Sequence, residues 1–504
     1  MRWSFAGMLA AGLAALVLLL SAAANHFTGL EGWPGFAGMA LVGGGMLTVV
    51  FYVLRRESPP RWLWHLTVLA ILLRLGAAVL WFLALPVWGY GNPPEMAGYV
   101  MADAYTRDTV AWKLAQSGRP LWDAFGYSQA ADQYGGLLFV SAAVYRILGG
   151  AQHHALLMAA LAALVSALVV PLGWALTKRA LGTPPARWTA WGLALYPEAV
   201  LLGSSQMREA FGMPLLAGAV YGGVLAGHGE TRRGGLWLAV SGLLLALLSP
   251  PMAGTAVLFA LGTYLGMRTW RPRRVLALVV AAVLIFIVLG GFVQISAWGN
   301  WVQKATDYQV YLSRQASGWV QKTFRLLPGW AHLPFLVFYG LLRPLLPAAL
   351  LAGGAPIWWG VAVWRSLGWT LVLAGLMLAA LRVALKRAWL RLPGLWLLLV
   401  LAQALVASLR GGGDMWDNPR YRALAAAPQM ALAAWALWQQ RQQPSAAVGR
   451  WLRGMALGAL WLVPWYVRRY TPLEWAVVSL FKTLGLALGT MVLYALVSWV
   501  QARE

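Results

Sequence analysis

Met101-Ala-Asp103-Ala-Tyr-Thr-Arg-Asp108-Thr-Val-Ala111-Trp-Lys-Leu-Ala-Gln-Ser-Gly118 is the stretch on which the reading turns. It follows an apolar run from Trp62 to Trp88, long enough to cross a bilayer. It leads into a polar loop that ends at Asp132-Gln133-Tyr134-Gly135-Gly136. An acid at the head of a short amphipathic helix, at the mouth of a membrane bundle, points to a reaction centre where lipid meets water. Nothing else in the chain offers a nucleophile, a metal cluster or a phosphate loop of comparable quality.

Working outward, the composition sets the class. Of 504 residues, 61% are hydrophobic and 11% charged, against about 25% charged in a soluble domain. Apolar runs recur along the whole length, so the expected fold is all-α: a polytopic integral membrane protein of roughly 12–14 transmembrane helices. Residues 1–61 read as two accessory N-terminal helices, 62–435 as the catalytic core and 436–504 as C-terminal helices. The start, Met1-Arg2-Trp3 before an apolar run to Ala24, reads as an uncleaved first helix. The net charge of +24 does not imply nucleic acid, because the basic residues sit in short loops between apolar runs. Many of the 31 Trp stand at span ends as interfacial anchors. With no Cys, disulfide and thiol chemistry are excluded.

The basic loops predict a topology. Arg2, Arg55 to Arg61, Lys178-Arg179, Arg232-Arg233, Arg268 to Arg274, Lys386-Arg387 and Arg441 to Arg453 fall inside. Asp103, the turn from Pro197 to Glu209, the loop from Trp298 to Trp330, and Arg410 to Arg422 then fall outside. Between 331 and 366 the pattern leaves open a tight pair of short helices or one surface segment. Of the 15 acids only Glu57, Glu230 and Glu504 lie inside on this scheme, which marks the outer face as the functional one.

The order of a span, Asp103 with Ala111 eight residues on, a helix ending Ala-Gln-Ser-Gly118, a loop, and Asp132-Gln-Tyr-Gly-Gly-Leu137 resembles the GT-C class of membrane glycosyltransferases. The similarity is to the protein O-mannosyltransferase and lipid A aminoarabinose transferase patterns. Lys178-Arg179, then Tyr196-Pro197 with Arg208-Glu209, and late Arg420-Tyr421-Arg422 before Pro428 extend it. The chain departs at Ala104, where the pattern often has a second acid, and lacks the later prolines of the turn near Asp132.

The resemblance implies an inverting transfer of a sugar from a polyprenyl phosphate to an acceptor glycan, lipid or protein. It implies a multi-pass protein of the plasma membrane that also contacts membrane lipids. Asp103 would take the acceptor's proton; as the first acid of a helix it also suits a cap. Arg420, Arg422 and Tyr421 would hold the donor phosphate, where charge develops. Asp108, Asp132, Arg208, Glu209 and Asp417 would support these groups or bind the acceptor. Asp108 lies off the face of Asp103 at helical spacing. No metal ligand set is expected, although a divalent cation is left open; no cofactor is implied beyond the lipid-linked sugar. The six His are scattered without ligand spacing, His153-His154 reading as a loop pair. Gly411-Gly412-Gly413 lacks the Lys-Ser/Thr of a phosphate loop. The basic-aromatic loop 298–330 reads as an amphipathic segment on anionic lipid. A transporter or flippase would want charges at mid-membrane and repeated broken helices; Ser249-Pro250-Pro251 supplies one break, and the charges otherwise read as lying at helix ends. A non-catalytic scaffold of the same fold is the other alternative.

Overall fold

The computed structural model describes residues 5–126, 132–268, 318–346, 348–351, 354–410, 418–470 and 479–501, and among these no residue is in a strand. The expected span at 275–297 and most of the loop after it lie outside the described residues. Among the described residues six helices are long and apolar enough to cross a membrane, and five shorter apolar ones accompany them. In lipid each backbone N–H and C=O must be satisfied within the segment, which makes a run such as Arg61–Trp88 helical over 28 residues.

The N-terminal helices are α1 (Phe5–Ala24) and α2 (Trp33–Leu54), followed by α3 (Arg61–Trp88). After a helical turn at Pro93–Met96 come α4 (Ala102–Gln116) and α5 (Gly136–Leu148). Helix α6 (Ala155–Leu181) crosses the core almost wholly buried. Next are α7 (Thr183–Leu195), the short α8 (Pro197–Gly203), α9 (Arg208–Gly227), α10 (Thr231–Leu248) and α11 (Pro250–Met267). The remainder is α12 (Gly318–Leu326), α13 (Gly329–Leu342), α14 (Pro356–Leu385), α15 (Leu392–Arg410), α16 (Ala426–Gln442), α17 (Ala446–Leu460), α18 (Leu462–Tyr470) and α19 (Leu480–Val500). A 3-10 turn, Asn418–Ala425, enters α16. The open stretch 331–366 is thus the end of one short apolar helix and the start of a long span.

Helix α9 is the hub: it packs on α6, α10, α11 and the 3-10 turn. Small residues let it do so. A Cβ on Gly222 would lie 2.7 Å from the Gly234 carbonyl oxygen of α10. On Gly136, which opens α5, it would lie 1.9 Å from the Leu247 carbonyl oxygen, so α5 meets the end of α10 backbone to backbone.

One expectation gains detail and one needs correcting. The segment from Pro197 to Glu209 is not a turn open to water: residues 197–206 are buried, and Glu198 pairs with Arg365 of α14 through bonds of 2.8 and 2.7 Å. Nor do all charges lie at helix ends, because Arg74 sits midway along α3 and is fully buried. The two facts are linked. Pro197 has no N–H, so the carbonyl of Leu193, four residues earlier, loses its helical donor. The Arg74 guanidinium reaches across at 3.2 Å and donates to it, and also to the Ala70 carbonyl at 2.9 Å. The break that redirects the chain from α7 into α8 is therefore capped by an arginine from α3.

At the end of the bundle where α9 gives way to α10, the basic loops meet Glu57 and Glu230, two of the acids expected inside. Arg179 donates to Glu57 at 2.7 Å and to Glu230 at 2.9 Å, and the Tyr221 hydroxyl donates to Glu57 at 2.6 Å. Arg233 pairs with Glu230 as well.

Candidate active site

The other end of α9 carries Arg208 and Glu209, and there four segments converge. Helix α4 begins at Ala102, with Asp103 in its first turn. The 3-10 turn carries Arg420, which donates to Asp103 Oδ2 at 2.7 Å across 317 residues of sequence. Arg420 also donates to the Tyr421 hydroxyl at 2.9 Å, and its guanidinium carbon lies 4.9 Å from that ring's centre. Glu209 Oε1 stands 3.9 Å from Arg420 Nε, within range of a charge but beyond a hydrogen bond. Arg208 lies 3.8 Å from Asp132 and 5.1 Å from the centre of the Tyr134 ring.

Asp132 sits just ahead of α5 and accepts from the Leu137 and Leu138 N–H groups at 3.1 and 3.0 Å. Its carboxylate thereby meets the positive end of that helix. Arg107 was not singled out from the sequence. It is buried, donates to the Gln206 carbonyl at 2.6 Å, and feels Asp132, Asp103 and Glu209. One helical turn beyond Asp103, it faces the same cluster; that spacing was the signal available.

The three carboxylates Asp103, Asp132 and Glu209 are thus interleaved with the guanidiniums of Arg107, Arg208 and Arg420. Burial pushes the Asp103 carboxyl up. The charge and hydrogen bond of Arg420, helped by Arg107 and Arg208, outweigh this and hold it below the usual carboxylate range. Burial would lower Arg420, but Glu209, Tyr421 and Asp103 reverse that and strengthen its hold on its proton. Arg420 Nε, Glu209 Oε2, Asp132 Oδ1 and Arg107 Nε are buried without a hydrogen-bond partner. Among the described residues no three His, Asp or Glu are grouped to hold a metal ion.

The remaining expected residues go elsewhere or lie beyond description. Asp108 is fully buried away from Asp103, accepting from Tyr99 at 2.5 Å and Tyr145 at 2.8 Å, with His153 Nε2 at 2.8 Å. His153, read as one of a loop pair, is instead tied to α4 through Asp108 and stacks on Trp112 with ring centres 5.3 Å apart. Its signal was an acid far away in sequence, which spacing cannot show. Arg422 does not join Arg420. It is buried against Trp369, 3.5 Å from the ring centre, and donates to the Arg343 carbonyl at 2.6 Å. Burial there pushes its guanidinium down to about 10. Asp417 lies outside the described residues.

No protein-family model and no curated protein matches the chain. Among solved structures it is similar to the oligosaccharyltransferase AglB of Archaeoglobus fulgidus in complex with an inhibitory peptide and a dolichol-phosphate. The identity is 14%, the cover 86% of this chain and 55% of that one, and the TM-score 0.38. Against the apo form of the Archaeoglobus fulgidus oligosaccharyltransferase the values are 15%, 86%, 56% and 0.40. The chain spans about half the length of the structures it matches.

Proposed function

We propose that the protein is an inverting glycosyltransferase of the GT-C type, moving a sugar from a polyprenyl-phosphate donor to an acceptor at the outer face of the plasma membrane. The observation that carries this reading is the contact of Asp103 with Arg420, backed by Glu209, at the end of the bundle away from the basic loop clusters. A carboxylate exposed to water beside a buried guanidinium is a base next to an anion holder.

In the reaction the acceptor oxygen bonds to the anomeric carbon while its proton passes to Asp103. The bond from that carbon to the phosphate oxygen breaks, and the electron pair leaves with the phosphate. Attack opposite the leaving group inverts the centre. Charge builds on the phosphate oxygens, where Arg420 supplies charge-assisted hydrogen bonds and Arg107 and Arg208 add field. Arg422 is assigned to holding the turn that presents Arg420, and Asp132 to fixing the start of α5.

The test is polyprenyl phosphate binding, together with turnover of a polyprenyl-phospho-sugar, by purified wild type and Arg420→Ala. Loss of both in the variant is expected; equal affinity and equal turnover would remove the site from the mechanism.

The transporter reading draws on Arg74 at mid-span and on the broken helix at Pro197. Arg74 there has a structural task, capping the Leu193 carbonyl that Pro197 strands, so these features favour the enzyme's scaffold over a transport path.

A further inference from the structure

We propose that Asp103 occupies the anion position of a phosphate site on Arg420 and yields it to the phosphate of the lipid-linked substrate. This rests on the reading above and adds an order of events to it: the base is freed by the arriving donor.

The two partners differ in mobility. Arg420's side chain is 10% exposed and Asp103's 55%. The arginine is held by stacking on Tyr421, by its bond to that hydroxyl, and by the field of Glu209. Among the described residues Asp103 has one hydrogen-bond partner, Arg420, and caps no backbone N–H of its own helix. It can leave by a rotamer change; Arg420 cannot. The guanidinium also has spare capacity, since Nε is buried and unpartnered. The charges of Arg107 and Arg208 also act at the position of Asp103, so an anion arriving there bonds to Arg420 in a field that favours it.

The chemistry follows. While paired, Asp103 is a weakened base, because its lone pairs and charge are engaged. The donor's phosphodiester presents two charged non-bridging oxygens, as many as the carboxylate, in a position where Arg107 and Arg208 also attract an anion, and it displaces the carboxylate. Asp103 then faces the acceptor with its basicity restored, and only when a donor is present. After transfer the product is a polyprenyl phosphate monoester; Asp103, 55% exposed, gives the acceptor's proton to water, and its return to Arg420 as a carboxylate then competes with the product and promotes release.

The inference predicts a result that a plain general base does not: removing the internal competitor should tighten phosphate binding. If Asp103 sits on Arg420 nine-tenths of the time, about a tenfold gain is expected on its removal. Polyprenyl phosphate in detergent micelles would be titrated into wild type, Asp103→Ala and Glu209→Gln. Thermal melts would check that each is folded. Asp103→Ala, which leaves no acceptor on Arg420, should bind about tenfold tighter. Glu209→Gln removes the same charge without vacating an acceptor position on Arg420, and should bind no tighter than wild type. Equal or weaker binding by Asp103→Ala overturns the exchange while leaving the donor reading intact. An equal gain in both variants reduces the effect to net charge and overturns it too. If neither wild type nor Asp103→Ala binds the lipid, the donor reading itself fails. Inorganic phosphate, run in parallel, should bind far more weakly; equal strength would make this a free-phosphate site and overturn the lipid assignment.

Discussion

Asp103 and Asp108 share one helix and have opposite surroundings. Asp103 is half exposed and touches one arginine, so Asp103→Asn should leave expression and the melting temperature near wild type. Transfer should fall by about 10²–10⁴-fold, the usual contribution of a positioned base; an assay retaining more than a tenth of activity would reduce Asp103 to a bystander. Asp108→Ala should do the reverse first. It leaves Tyr99, Tyr145 and His153 without their shared acceptor, at about 1–3 kcal/mol for each of the two buried hydroxyls left unpaired. A melt of the purified protein should show a drop of several degrees. The pH dependence has a definite sign. Because Arg420 holds the Asp103 carboxyl below its ordinary value, the pair's stabilisation is complete above the unfolded value of about 4 and is lost only as pH falls through the lower folded one. In Arg420→Gln burial acts with less opposition, so the acidic limb of the pH–rate profile should move to higher pH. An unmoved limb would mean that another group sets it.

At the scale of elements, the 3-10 turn Asn418–Ala425 and the broken pair α7–α8 do the placing. A 3-10 turn sends side chains two positions apart to different sides: Arg420 faces Asp103, and Arg422 is driven under Trp369. Arg422→Ala should therefore lower both the melting temperature and donor affinity, since it loses an aromatic stack and the bond to the Arg343 carbonyl. If affinity falls with no change in melting, Arg422 contacts the ligand directly instead. Helix α9 holds Arg208 and Glu209 in place by its close seat on α10. Gly222→Leu should cost more than the roughly 1–3 kcal/mol of ordinary overpacking, because the obstacle is backbone. A variant that melts like wild type would show that the two helices can part.

For the whole molecule, two charge clusters at opposite ends of α9 define its polarity. Asp103, Glu209 and Arg420 meet at one end; Glu57, Arg179 and Glu230 meet at the other. The absence of Cys makes labelling clean. Exposed Ser117→Cys should react with an impermeant maleimide from outside, while Arg232→Cys and Gln443→Cys should react only after permeabilisation. Labelling of all three from one side would sink the topology. Buried Ser205 would be a poor reporter of the same thing.

The sequence by itself determined that the chain is a helical membrane protein, where most of its apolar helices run, and that Asp103 and Arg420 were worth pairing. Hydropathy and charge bias are local quantities, and lipid leaves the backbone no alternative to helix. Tertiary structure alone decided which charges meet. Arg107 joined the site, Arg422 left it for Trp369, His153 found Asp108, and Glu198 was drawn inside to Arg365. Arg74 became the cap of a helix that Pro197 had broken. Each of these partners comes from a distant part of the chain, and burial in a low-dielectric bundle forces every charge to find one. No spacing rule within a segment contains that constraint.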